Sequence, residues 1–200
     1  MEKNQELNNE YTQYDCLIFD CDGTLANTMS AHFAAYQHAF KYYHISFTKK
    51  EFFEYGPKGG NILLNELIIK KGYDPSFVDK IKNMKSDCIE QFLDTHMHPN
   101  DELINLIKEY HTKCKLAVVS SGRHKSICTI LEKLGILKYF DLVITADDCK
   151  ILKPHPQPYI MAYTQLNVDP KKCLVFEDND IGVESATKAG LTVKLISGYN

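Results

Sequence analysis

Apolar residues in this chain fall into short runs, separated by stretches in which they recur every three or four positions. The runs CLIF (16–19), KLAVV (115–119), DLVIT (141–145), CLVF (173–176) and TVKLI (192–196) are predicted as strands. Between the later runs the spacing is helical. In SICTILEKLG, for example, Ile127, Ile130, Leu131 and Leu134 recur at three and four, and Gly135 and Gly190 suit helix C-termini. Strands alternating with helices predict an α/β fold with a doubly wound parallel sheet. Right-handed crossovers then bring the carboxyl end of every strand to one edge, where ligands bind.

One interval breaks the rhythm. From NTMSAHFAAYQHAF to HPNDELINLIKEY the pattern stays helical, and NILLNELIIKKG and FVDKIKNMKSDCIEQFL are both amphipathic. We read residues 32–94 as a helical insert between the first and second strands, with 14–31 and 95–200 forming the core. Phe33, Tyr36, Phe40 and Tyr43 have helical spacing and are expected inside that insert's own core. The polar start, residues 1–13, is expected to be a flexible tail.

Composition narrows the function classes. A chain of 200 residues suits one domain, alone or carrying an insert. The net charge of -3 offers no basic face for nucleic acid, so a phosphate ligand needs a local positive site. Seven cysteines without a C-x-x-C pair, and no signal peptide, imply reduced thiols and a cytoplasmic setting. No apolar run approaches the ~18 residues of a membrane span, so no membrane partner is expected.

Four of the strand exits carry polar groups. The first ends in Asp20-Cys21-Asp22-Gly23-Thr24 and the second in Ser120-Ser121-Gly122; Lys153-Pro154 follows the third, and the fourth ends in Glu177-Asp178-Asn179-Asp180. Together they supply an acid cluster able to bind a cation, and donors for an anion. Phosphoryl transfer needs such a set. An ionised carboxylate can attack phosphorus, and a second acid two residues on can pass a proton to the leaving oxygen and take one from water. Mg2+ makes the approach of two anions tolerable and prefers oxygen ligands. A lysine neutralises the transferred group, and a hydroxyl and the start of the helix after Gly122 offer donors to it.

Taken in order, DCDGTLANT, LAVVSS, KPHP and FEDNDIGVESATKAG resemble the four motifs of the haloacid dehalogenase superfamily, from Asp15 to the C-terminus. The insert resembles the small helical cap of its sugar-phosphatase and β-phosphoglucomutase-like branch, and YFDLVITAD and VFEDNDIG resemble the fructose-1-phosphate phosphatase-like members. The resemblance implies a Rossmann-like core, with Asp20 as nucleophile, Asp22 as general acid and base, and Lys153 as charge stabiliser. It further implies Ser120, with Ser121 beside it, at the phosphate, and Mg2+ on the Asp20 carboxylate, the Asp22 carbonyl and the Asp178 carboxylate. His32 and Lys82 match cap positions that face substrate in relatives, and the substrate implied is a small phosphate ester acted on by a monomer. The chain departs from the pattern at Asn27, often Asp, and at Asn179, often Ser.

Simpler readings compete for each element. The paired acids could be a solvated turn; an EF-hand is excluded because its twelfth position is Ala31. Lys153 could be a loop lysine, Ser120 and Ser121 a helix cap, and His32 and Lys82 helix-surface residues. Two other functions share these motifs: a phosphosugar mutase, disfavoured by the absence of arginine from the insert, and a non-catalytic binding protein on the same fold.

Overall fold

Strand β1 (Cys16–Phe19) is wholly buried along its length, as befits a strand covered on both faces. The computed structural model describes residues 10–56 and 60–197. After β1 the chain forms five helices, α1 (Met29–Tyr42), α2 (Lys49–Tyr55), α3 (Gly60–Lys70), α4 (Phe77–Cys88) and α5 (Glu90–His96). Helix α6 (Asp101–Tyr110) then leads into β2 (Lys115–Val119), α7 (His124–Lys133) and β3 (Leu142–Ile144). The chain continues through α8 (Gln157–Leu166), β4 (Cys173–Glu177), α9 (Asp180–Lys188) and β5 (Thr192–Leu195).

The expected sheet is observed: five parallel strands in the order β3-β2-β1-β4-β5. The chain lays β2 and β3 on one side of β1, then crosses to place β4 and β5 on the other. A crevice therefore opens at the carboxyl end of β1, where the winding reverses. Register pairs Phe19 with Phe176, and their rings stack 4.7 Å apart. One position further on, Asp20 donates its backbone N–H to Phe176, so Asp20 leaves the sheet beside Glu177. On one face of the sheet Ile18, Ala117, Val119 and Val175 pack with Tyr159 and Ala162 of α8.

The chain divides into two packed units, of which one ends at Asn27 and resumes at Pro99, while the other is Thr28–His98. The helical unit is thus wider at both ends than the expected 32–94. Its core holds Tyr36, Phe40, Phe52, Leu63, Leu64 and Ile68, with Phe33 and Tyr43 partly buried against it. A capping box starts α2, in which Thr48 and Glu51 each satisfy the other's backbone N–H. Among the described residues no helix is long and apolar enough to cross a membrane.

The expected tail needs correction where it is described. Tyr11 is buried, meeting Tyr110 and Phe176 edge-on. Lys194 on β5 binds the Glu10 carboxylate at 2.8 Å and also the Tyr11 hydroxyl. One aromatic ring in a polar segment is enough to dock it, because burying such a ring brings about 1.5–3 kcal/mol. Residues 1–9 of that expectation lie outside the described residues.

Candidate active site

The turn after β1 is built so that an acid can approach from the end of β4. Gly23 has φ +95°, a conformation costly for any residue with a side chain. A Cβ there would lie 2.1 Å from Oδ2 of Asp178. The turn is closed by the Gly23 N–H to the Ala26 carbonyl at 2.8 Å and the Leu25 N–H to the Cys21 carbonyl at 3.0 Å. Asn100, the N-cap of α6, braces it by donating to the Thr24 carbonyl at 3.1 Å. Asp178 in turn accepts from the Asn179 amide at 2.9 Å and the Thr24 hydroxyl at 3.5 Å. Asn179 also caps α9 through the Gly182 N–H at 3.0 Å, which gives this departure from the family pattern a structural role.

Lys153 lies at the centre of the cluster with its side chain only 5% exposed. Its ammonium donates to Oδ1 of Asp20 at 2.7 Å, to Oε1 of Glu177 at 2.6 Å and to the Val119 carbonyl at 2.9 Å. All three of its protons are thereby used. Burial alone would lower its pKa, yet the Asp20 and Glu177 carboxylates hold it well above the usual lysine value. Asp20, also buried, has its carboxyl pushed well above the usual carboxylate range by burial, then by Glu177, against the pull of Lys153. Burial likewise raises Asp178. Tyr159, at the start of α8, donates its hydroxyl to Oε1 of Glu177 at 2.6 Å, and burial holds that phenol well above its ordinary pKa.

The charges in this pocket do not balance. Asp20, Glu177 and Asp178 each offer a carboxylate oxygen, all within 4.8 Å of one another, against a single ammonium. Among the described residues, Oε2 of Glu177 is the one buried side-chain nitrogen or oxygen atom with no hydrogen-bond partner. Uncompensated carboxylates and an orphaned oxygen fit a hard divalent cation, for which every donor here is an oxygen.

The other expected residues are distributed as follows. Asp22 is half-buried on the same turn, two residues past Asp20. Ser120 is buried at the end of β2, where its hydroxyl accepts the Gly122 N–H at 3.0 Å; Ser121 is exposed. The expectation of free N–H groups at the start of α7 is corrected at its first residue, since the His124 N–H is taken by Asp147 at 2.9 Å. Asp180 is exposed at the start of α9. His32 on α1 and Lys82 on α4 belong to the helical unit, where Lys82 donates to Asn61 at 2.9 Å.

Sequence reasoning gave Glu177 no role beyond membership of the acid cluster, and Tyr159 none. The signal for Glu177 lies in the strand ends: aligning CLIF with CLVF places Asp20 opposite Glu177 on neighbouring strands. Tyr159 looks like one more apolar position of α8, and nothing local marks its hydroxyl.

A doubly wound parallel sheet with a buried lysine bridging carboxylates at its carboxyl edge defines an α/β enzyme core. The model of the haloacid dehalogenase-like hydrolases matches residues 17–196, and the chain belongs to that family. It is similar to the fructose-1-phosphate phosphatase YqaB of Escherichia coli, with 26% identity over 90% of this chain and 95% of that one. It is also similar to a phosphorylated carbohydrates phosphatase of Thermotoga maritima, with 29% identity over 88% of this chain and 82% of that one. Among solved structures, CbbY from Rhodobacter sphaeroides in complex with phosphate superposes with a TM-score of 0.86 at 22% identity, covering 93% of this chain and 87% of that one. The last likeness is one of fold.

Proposed function

We propose that the chain is a Mg2+-dependent phosphatase of small phosphorylated metabolites, sugar phosphates foremost, acting through an aspartyl-phosphate. One observation carries the reading: Asp20 is a buried carboxylate at the switch point, hydrogen-bonded to a buried lysine, with two further carboxylates within 4.8 Å. The names of the two phosphatase relatives support the substrate class.

The Asp20 carboxylate attacks phosphorus, and the ester oxygen leaves with a proton from Asp22. Asp22, now ionised, takes a proton from water as the water attacks the acyl phosphate, which regenerates Asp20 and frees inorganic phosphate. Lys153 fixes the Asp20 carboxylate by one hydrogen bond and provides positive charge beside the transferred group. The Ser120 hydroxyl and the backbone that follows it donate to phosphate oxygens. Asp20, Asp178 and Glu177, with the Asp22 carbonyl, would hold Mg2+, which when bound offsets the repulsion between carboxylates and phosphate. Substrate choice is assigned to the helical unit, with His32 and Lys82 as its first candidates.

Phosphate release from a panel of sugar phosphates, phosphoglycolate and nucleotides tests the reading, with and without EDTA. Release is expected for at least one sugar phosphate, lost in EDTA and in Asp20→Asn. Mg2+-dependent release that survives Asp20→Asn would falsify the assignment of the nucleophile. Isomer formed from a hexose 1-phosphate with a trace of bisphosphate, without free phosphate, points to a mutase instead.

A further inference from the structure

We infer that Tyr159 is a positioning residue that divides the two oxygens of Glu177 between protein and cation. Its hydroxyl ties Oε1 to the protein and leaves Oε2 for the metal. The inference rests on the cation site proposed above and adds a residue that the site's own carboxylates do not reveal.

Three independent observations converge on the Glu177 carboxylate. Oε1 accepts two short hydrogen bonds, from Tyr159 and Lys153, each 2.6 Å, while Oε2 accepts none. The carboxylate also lies hard against α9, in the space that a side chain at Gly182 would take. A Cβ on Gly182 would lie 1.9 Å from Oε1, 2.0 Å from Cδ and 2.2 Å from Oε2, so only glycine leaves room. Tyr159 is itself fully buried among sheet residues, and its ring lies 5.1 Å from the Lys153 ammonium.

The double hold on Oε1 matters because Lys153 has no proton to spare. Its three donors go to Asp20, Glu177 and Val119, so a phosphoryl group can draw on the ammonium only at the expense of one of them. If the bond to Glu177 is released, the Tyr159 hydroxyl still holds Oε1. The carboxylate keeps its rotation, and Oε2 stays where the cation needs it throughout turnover.

The test is Tyr159→Phe, which keeps the ring against Lys153 and deletes the hydroxyl. Mg2+ binding to the full chain is measured by calorimetry in the absence of substrate, alongside circular dichroism. Groups that orient a metal ligand typically contribute about 10–100-fold to affinity, so Mg2+ affinity is expected to fall at least about tenfold. Turnover in the variant should be restored by raising Mg2+, which a merely structural defect would not allow. Affinity within about twofold of the parent, or turnover lost at every Mg2+ concentration, overturns the inference. Gly182→Ala pushes the same carboxylate from the other side, so unchanged Mg2+ affinity in that variant also overturns it, even if Tyr159→Phe fails to fold. A failure of the underlying site looks different: the parent chain itself then binds no Mg2+, or Asp178→Asn leaves its binding unchanged.

Discussion

Replacing Lys153 by methionine tests how the charges of the site are held inside the sheet. The substitution keeps most of the side-chain volume and removes one ammonium that bridges Asp20 at 2.7 Å and Glu177 at 2.6 Å in a pocket where none of the three is appreciably exposed. It also deprives the Val119 carbonyl of its 2.9 Å donor from that side chain. Breaking a buried pair from one side costs about 3–5 kcal/mol, because the charge left behind has neither water nor partner. Total stability for a domain is about 5–15 kcal/mol, so the loss is large but measurable. With a urea slope of about 2 kcal/mol per molar, the midpoint should fall by about 2 M. The chain has no tryptophan, so far-UV circular dichroism in EDTA is the suitable probe.

The pH dependence of that loss has a definite sign. The Asp20 carboxyl is already raised above its ordinary 3.8 by burial and by Glu177, and Lys153 is the group pulling it down. Without the lysine it rises further, and the folded variant binds a proton that the unfolded chain releases at a lower pH. A folded state that binds more protons gains stability as pH falls. The gap between variant and parent should therefore be smaller at mildly acidic than at mildly alkaline pH. Adding Asp20→Asn should recover at least about 1 kcal/mol, the coupling expected between groups in contact. A loss below about 1 kcal/mol, or one equal at both pH values, refutes the argument from charge. The lysine would then matter only through the volume it fills.

Two further expectations concern the frame of the site. Gly23→Ala should cost about 1–2 kcal/mol through its backbone conformation, and should weaken Mg2+ binding, because the new methyl displaces Asp178; thermal melts and Mg2+ titration read the two effects separately. Tyr11→Ala should destabilise by about 3 kcal/mol by emptying its place between Tyr110 and Phe176, while Glu10→Ala costs under about 1 kcal/mol and neither changes KM; urea midpoints and initial rates check both.

Much of the fold was legible because its signals are local. Each strand is a short apolar run, each later helix has its own period, and the acids and the lysine follow strand ends where a doubly wound sheet must place its site. What escaped was set by pairings between distant segments. Glu177 was one acid among several at a strand exit until strand register set it beside Asp20. Tyr159 carries the same apolar signature as a core position, and only the fold aims its hydroxyl at a carboxylate. Asp147 takes the first N–H of α7 from a separate loop. Tyr11 was masked by polar neighbours, since averaging over a segment hides one ring that packs.

The central place of β1 also governs the order in which the molecule can be completed as it is synthesised. Its two partners are β2 and β4, so the strand made first remains unpaired until residues 115–119, then 173–177, have emerged. Helices α1–α4 bury a core drawn wholly from within Thr28–His98. Closing such long loops is slow compared with local helix pairing. Asp20 thus meets Lys153 only after a further 133 residues have been made, and Glu177 later still. Until then the turn that carries Asp20 stands without the lysine that binds it and the carboxylates that gather beside it.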